Sequence, residues 1–544
     1  MSLFDKILES RGVKPDDRSD FLSPNYDKLH DPNLMPDMNV AIDRLVKARE
    51  RQDNIVIYGD YDIDGLTAST LLMDAFDSFG YDNVEVFIPN RFIEGYGLAS
   101  SAIEKIVASG ADLIITVDCG SLSEKEIKLA NKLGVDVIVT DHHNVADKQP
   151  PAVAVINPKR VDSKYPFKDL ASVGVAFKLV EAMRQRLPGL QGGQEKWLLD
   201  LVALGTVCDV VSLQDENRAL VHWGLKVMSQ TRRPGLKALM AVAGVDSTKL
   251  NAKDLGFRLG PRLNAAGRLE TAKYALDLLM TSDKQSAMVL ARQLDELNSK
   301  RRDDQNEIFK AAVAKAELHQ EDPVLVVSDK DWNHGIIGIV AAKLLEKYKK
   351  PTFVLQELSD GVAKGSARSY GDFSAAEAIK YCNDLITKGG GHHYAAGLTL
   401  STIQIDNFRK QVNIFYHSQY NLDHQQKLLL PSEDLIINLN ELTDNEIEKL
   451  SQLEPYGNGN PEPVLRSDDL KIINLRTMGS DGQHFKLEAI DAGGQVMTFV
   501  AFSAPREYFV AVGSVVSIWY TPGFNDWNGS RKIEGRLIHI KVLN

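Results

Sequence analysis

The chain has 544 residues, too many for one core, so two to four domains are expected. Hydrophobic residues make up 44% and charged residues 25%, which excludes long disorder; a formal charge of −11 argues against a nonspecific nucleic-acid coat but leaves room for a local cleft. Three isolated cysteines exclude a zinc ribbon or disulfide scaffold, and no signal or membrane-length apolar run is present, so a reducing cytoplasm and no membrane are expected.

In chain order, the predicted strands are 55–58, 84–89, 113–117, 135–140 and 153–156, with helices near 66–79, 99–109 and 123–133 between them. Apolar strands alternating with helices of this length indicate a doubly wound parallel sheet in an α/β fold. Residues 170–320 are mainly helical in pattern. Between Ser282 and Pro323 there is no Gly or Pro, which predicts one long helix. Its stretch from Asn298 to Glu307 is polar on every face, the pattern of a helix bridging two domains through solvent. A second, smaller α/β unit is expected from Val324 to about residue 420. Five alternating segments near 469–476, 484–490, 496–502, 515–521 and 531–542 then predict a C-terminal β-barrel of the OB-fold type.

The chemistry is concentrated where the first strands end. Ile55–Ile57 leads into Gly59-Asp-Tyr-Asp-Ile-Asp-Gly65, placing Asp60, Asp62 and Asp64 in a strand-to-helix turn. Three negative charges there would repel phosphate unless cations lie between them. Two more predicted parallel strands end in Asp118 and in Asp141-His142-His143, and Asp209 closes a further apolar segment. A lone Asp after a strand is usually a turn former or cap. Three strand ends converging at the edge where open α/β sheets bind ligands outweigh that reading. Mixed oxygen and imidazole donors suit Mn²⁺ better than Mg²⁺. Asp62-Ile-Asp64-Gly65 also resembles the nucleophile loop of haloacid-dehalogenase-like phosphatases, but Leu66 separates Gly65 from Thr67. Residues 256–269 hold Arg258, Arg262 and Arg268 without an acid, suited to tracking a phosphate backbone. Gly389-Gly390-Gly391-His392 would let backbone N–H groups approach a phosphate closely.

These motifs, with Gly365-Ser-Ala-Arg-Ser369 and Glu454-Pro-Tyr-Gly-Asn-Gly-Asn-Pro-Glu-Pro463, resemble the DHH phosphoesterase superfamily and, within it, the RecJ family of single-strand-specific 5′→3′ exonucleases. The resemblance covers the chain from about Asn54 to its end. It implies a DHH domain over 1–281, a linker helix over 282–321, a DHH-associated substrate-binding domain over 322–430 and an OB-fold over 431–544. It also implies two-metal hydrolysis of single-stranded DNA to 5′-mononucleotides, in DNA repair and recombination. Two Mn²⁺ ions are expected, with Mg²⁺ as the other candidate. Asp64, Asp118, His142 and Asp209 would hold one ion; Asp118, Asp62 and Asp60 would hold the second. Asp60 stands in for a histidine that many superfamily members carry where this chain has Tyr58. His143 would lie beside the scissile phosphate. Arg91, Tyr96, Arg262, Asn264 and Arg268 would line the nucleic-acid channel, with Ser366, Arg368 and the Gly389–His392 segment receiving phosphates. A single-strand-binding protein and a RecQ-type helicase are the expected partners. The alternative within the superfamily is a phosphodiesterase for cyclic dinucleotides or nanoRNA; a scaffold without catalysis would lack aspartates that this chain retains.

Overall fold

In the computed structural model, which describes residues 1–420, 430–479, 482, 484–527 and 530–543, three sheets carry the chain. The first is wholly parallel. β1 (Ile55–Gly59) lies between β2 (Val84–Phe87) and β3 (Leu113–Val117), and β4 (Asp136–Thr140) and β5 (Ala154–Ile156) extend it in the order β2-β1-β3-β4-β5. Successive side chains point to opposite faces of a strand, and both faces are buried. Ile55, Ile57 and Ile115 pack under the helix Ile63–Ser78 and Ile138 under the helix Ser172–Arg186, whereas Val56, Ile114, Val137 and Val139 pack under the helices Ser100–Ala108 and Glu124–Lys132. Two-sided burial is why these strands read as unbroken apolar runs. Strand order reverses between β1 and β3, which opens a crevice at their C-terminal ends, the usual ligand position in such sheets.

The helix after β1 starts at Ile63 rather than near residue 66. Asp62 caps it, its Oδ1 accepting the Gly65 N–H at 3.1 Å. Asp64 therefore stands in the first helical turn, and only Asp60 and Asp62 belong to the preceding turn.

The long helix runs Lys284–Glu317, 34 residues and about 50 Å at 1.5 Å per residue. It does not cross open solvent. Ala287, Ala291 and Leu294 belong to the core of the first unit, and Ile308, Ala312 and Ala316 to that of the second. In the polar stretch between, Asn298 and Gln305 are buried, and Arg301 donates to both, at 2.8 and 2.7 Å. Polar groups that satisfy one another can be buried, so one face of this stretch is covered while Ser299, Lys300, Arg302, Asp303, Asn306 and Glu307 face solvent.

The second sheet has the order β6-β7-β8-β10-β9, comprising β6 (Leu325–Asp329), β7 (Thr352–Glu357), β8 (Val362–Arg368), β9 (Lys388–Gly391) and β10 (Ala395–Ser401). The glycine run is thus an edge strand rather than a loop. At Gly391, φ is +148°, and a Cβ would lie 2.5 Å from the Ala396 Cα and the Ala395 carbonyl oxygen, so only glycine fits. The third sheet joins β11 (Leu435–Ile436), β12 (Leu465–Met478), β13 (His484–Ile490), β14 (Val496–Ala501), β15 (Val515–Trp527) and β16 (Ser530–Leu543). Pairing of β12 with β15 closes a five-stranded barrel, with β11 as a short addition. The helix Leu3–Ser10 packs here too. Leu3, Phe4, Ile7 and Leu8 enter the barrel core, and Arg11 pairs with Asp434 at 2.8 Å. The first helix therefore sits with the last unit, not with the rest of 1–281. The boundary expected at 430 adjoins residues 421–429, which lie outside the described residues.

Candidate metal centre

Asp60 and Asp62 follow β1, Asp64 opens the next helix, Asp118 follows β3, and His142 follows β4; Asp209 caps the C-terminus of the helix Leu199–Cys208. Their ligand atoms converge in overlapping groups, each within 4.8 Å: Asp60, Asp62 and Asp118; Asp64, His142 and Asp209; and Asp118, His142 and His143. His142 Nε2 lies 3.4 Å from Asp118 Oδ1 and 3.5 Å from Asp209 Oδ2. Its Nδ1 sits 3.0 Å from the Leu170 carbonyl. A carbonyl only accepts, so Nδ1 carries the proton and Nε2 turns a lone pair toward the carboxylates. Asp118 has a left-handed φ of 64°, a conformation Asp tolerates better than most residues. Asp64 is held by the N-terminus of the helix Ser172–Arg186, accepting from the Ser172 and Val173 N–H groups at 2.6 and 2.9 Å, while Ser172 Oγ donates to Asp118 at 2.9 Å.

Lone pair facing carboxylate is repulsive without a proton or a cation between. Burial, then the charge of Asp62, raises Asp60 and Asp118 well above the usual carboxylate range and Asp64 to about 7. Burial and then Asp64 raise Asp209 to about 9. Burial and then His143 lower His142 to about 4, so it is a neutral donor at physiological pH. Asp60 Oδ1, Asp118 Oδ2 and His142 Nε2 are buried without a hydrogen-bond partner. Orphaned oxygen and nitrogen donors gathered in one largely buried cluster fit divalent cations. His143 differs: its Nδ1 pairs with Asp141 at 2.9 Å, and Asp141 also accepts the N–H groups of Ser121, His142 and His143. Burial alone would lower His143 and raise Asp141; their mutual contact overrides it, raising the histidine and lowering the acid.

A cleft between the first and second units receives most of the other expected residues. The Tyr96 hydroxyl is 3.1 Å from a ring nitrogen of His143, and the Arg91 guanidinium lies 4.2 Å over the Tyr61 ring. Ser366 and Arg368 on β8 abut the start of the helix Ile337–Tyr348, where a Cβ on Gly338 would lie 3.0 Å from Ser366 Oγ and 3.2 Å from Arg368 Nη2. Arg268 donates to the Gly335 carbonyl at 3.1 Å; burial and then the charges of Arg91, Arg301 and Arg368 lower it to about 10. His392 reaches across to Asn144, 3.5 Å away, while Gly389, Gly390 and Gly391 lie exposed on the sheet edge beside it. Asn264, Arg268 and Arg301 share the wall of a cavity of about 520 Å³ that extends to Tyr456 and Asn458. Arg262 is not brought in. It pairs with Asp295 at 2.8 Å and donates to the Arg258 carbonyl, because the long helix supplies the acid that residues 256–269 lack.

Residues 54–206 match the DHH family N-terminal domain, residues 321–418 the DHHA1 domain and residues 433–539 the RecJ OB domain. The single-stranded-DNA-specific exonuclease RecJ of Bacillus subtilis is 36% identical, aligned over 94% of this chain and 64% of its own length. That of Dickeya dadantii is 34% identical over 100% of this chain and 96% of its own length. The chain belongs to the RecJ family. The structure of RecJ in complex with Mn²⁺ from Thermus thermophilus agrees with a TM-score of 0.85 at 28% identity, over 99% of this chain and 75% of that one. The parallel sheet, long helix, second α/β unit and closed barrel are thus the RecJ architecture. Among the described residues no helix is long and apolar enough to cross a membrane.

Four residues that line this candidate site were not singled out from the sequence. Asp141 was visible in the motif but had no separate signal for its grip on His143. Ser172 is a polar residue opening an apolar helix, a cue for a cap rather than for a contact with Asp118. Gly338 marks a helix start. Arg301 had no cue, because only packing distinguishes it from its charged neighbours.

Proposed function

We propose that this RecJ-family chain is a metal-dependent exonuclease that degrades single-stranded DNA from its 5′ end to 5′-mononucleotides, in DNA repair and recombination. The observation that carries the reading is Asp118, whose carboxylate stands between Asp60 and Asp62 on one side and His142 on the other, as a ligand shared by two cations would. The named activity of the curated relatives and the Mn²⁺ in the Thermus structure support it. Asp64, Asp118, His142 and Asp209 hold one cation, and Asp60, Asp62 and Asp118 the other. The histidine favours Mn²⁺ in the first site; the all-oxygen second site takes Mn²⁺ or Mg²⁺. When bound, the two cations supply Lewis-acid charge for the attacking water and the phosphoryl oxygens.

The chain's own groups do the rest. His143, oriented by Asp141, is placed to give a proton to the leaving 3′-oxygen. Tyr96 stacks at the terminal nucleotide and holds the other side of His143. Ser366, Arg368 and the Gly338 N–H at the start of the helix Ile337–Tyr348 receive the 5′-phosphate, where a guanidinium and a hydroxyl beside an amide favour an anion. Arg91, Arg268 and Arg301 counter the following phosphates, Asn264 lines their path, and the Gly389–Gly391 edge with His392 flanks the scissile bond. Arg262 reaches the backbone only by releasing Asp295. A RecQ-type helicase and a single-strand-binding protein present the substrate in the cytoplasm. The test compares 5′- and 3′-labelled single strands with Mn²⁺ or with chelator. Prompt release of the 5′ label only with metal is expected; metal-independent release, or loss of the 3′ label first, overturns the reading.

A further inference from the structure

The segment Glu454–Pro463 is prominent in the sequence, yet none of its residues enters the metal centre. Its backbone lies flush on the loop that follows Asp209. A Cβ on Gly457 would sit 2.6 Å from Leu213 Cδ1, and one on Gly459, at φ +73°, 2.3 Å from Ser212 Oγ. Asn458 grips that loop twice: its side-chain amide donates to the Val210 carbonyl at 2.8 Å, and its own carbonyl accepts the Leu213 N–H at 2.7 Å. Gln214 adds a bond to the Gly459 carbonyl at 3.0 Å.

Val210 is the residue next to Asp209, and its φ is +60°. A β-branched side chain resists that conformation, which persists only where surrounding contacts impose it. Val210 is largely exposed, so its own side-chain packing does not impose it; its N–H closes the helix end on the Val207 carbonyl at 3.3 Å, and Asn458 holds its carbonyl from the other side. The same loop has a second connection. Buried Asn217 donates to the Ser212 carbonyl at 2.9 Å and to the Asp169 carbonyl at 2.6 Å, and the adjacent Leu170 carbonyl orients His142. From the other side, Arg218 donates to the Phe21 and Glu454 carbonyls, both at 2.8 Å, and Arg11 to the Asn460 side chain at 2.7 Å. The turn is therefore anchored to both the first segment of the chain and the unit that carries the metal centre.

We infer that the 456–460 turn of the barrel unit is a positioning element for the metal centre, with Asn458 holding Val210 left-handed and thereby fixing the Asp209 carboxylate beside Asp64 and His142. The inference rests on the reading of Asp209 as a cation ligand. Docking of the barrel then completes the geometry of one cation site.

The test is calorimetric titration of the full chain with Mn²⁺, alongside melting temperature, for the parent, Asp209→Ala, Asn458→Ala and Asn458→Ala with Val210→Gly. Asp209→Ala should lose one binding event. Asn458→Ala should keep the stoichiometry but bind that ion on the order of 10-fold more weakly, as expected for a group that orients a ligand. Its exonuclease rate should recover at raised Mn²⁺. Adding Val210→Gly should restore affinity, because glycine adopts this φ without a clamp. Unchanged Mn²⁺ affinity in Asn458→Ala overturns the inference, even if the melting temperature falls, and so does a double variant no better than the single. Unchanged Mn²⁺ binding in Asp209→Ala instead refutes the ligand assignment beneath it.

Discussion

Gly65→Ala is the sharpest probe of how the strand-to-helix turn is built. A Cβ at residue 65 would lie 2.5 Å from the Asp60 carbonyl oxygen, 2.6 Å from its nitrogen and 2.8 Å from its carbonyl carbon. Ordinary contact begins near 3.4 Å, so the shortest approach is 0.9 Å too close, and all three obstructing atoms are backbone. In an unobstructed helix the substitution would stabilise by about 1 kcal/mol. Overpacking a tight site costs about 1–3 kcal/mol, so the net effect on stability should lie between neutral and about 2 kcal/mol unfavourable. Activity should suffer far more. Asp60 is 2% exposed and cannot swing into solvent, so the turn must open by nearly the missing distance. A displacement of about 1 Å at reacting groups is worth on the order of 100-fold in rate. The assay is kcat on a 5′-labelled single strand at saturating Mn²⁺, paired with the melting temperature. A variant within about threefold of the parent rate, with unchanged Mn²⁺ dependence, would refute the claim that backbone contact at Gly65 sets the positions of Asp60 and Asp62.

Three further outcomes are expected. Asp118→Asn keeps the shape and tolerates the left-handed φ, so it should abolish Mn²⁺-dependent hydrolysis while raising the melting temperature of the chelated protein; a lower melting temperature contradicts the account of stored repulsion. For the chelated parent, Asp64 and Asp209 have folded values near 7 and 9, above the usual carboxylate range. Folding thus favours their protonated forms, and that contribution is complete below about pH 4 and lost as pH rises through 7 and then 9. Melting temperature without metal should fall between pH 6 and 9, and saturating Mn²⁺ should remove the trend; a rise over that window would sink it. Arg301→Ala should weaken single-strand binding and reduce the slope of log affinity against log salt by about 1, measured by fluorescence anisotropy with Ca²⁺ or chelator to prevent cleavage; an unchanged slope removes Arg301 from the phosphate path.

The acids at the ends of β1, β3 and β4 could be read from sequence because each lies directly after a local, two-face-buried strand, and parallel order alone brings those ends to one edge. Local chemistry and local periodicity sufficed to bring Asp62, Asp64, Asp118 and the Asp141-His142-His143 segment to one edge; the expected roles of Asp60, and of His142 as distinct from His143, came from the family resemblance. Asp209 was visible only as an acid closing an apolar segment; it caps a helix, and its place beside the sheet edge comes from the packing of that helix. What lay beyond the sequence were contacts between segments far apart in the chain. Arg262 carries no local acid, yet Asp295 claims it from the long helix. Arg301 resembles its solvated neighbours, yet the two units bury its surroundings and turn it into the cleft wall. The helix Leu3–Ser10 has an apolar stripe but no mark of which core it fills, and it fills the last one. Asn458 is more than 240 residues from Val210, and only the docking of the barrel brings its amide to the residue beside Asp209. The candidate donors and the elements that carry them were legible along the chain, because those depend on neighbouring residues. Which cations in the protein remain free, and which distant turn steadies the site, was decided by the tertiary structure, because pairing and burial depend on what the fold brings alongside.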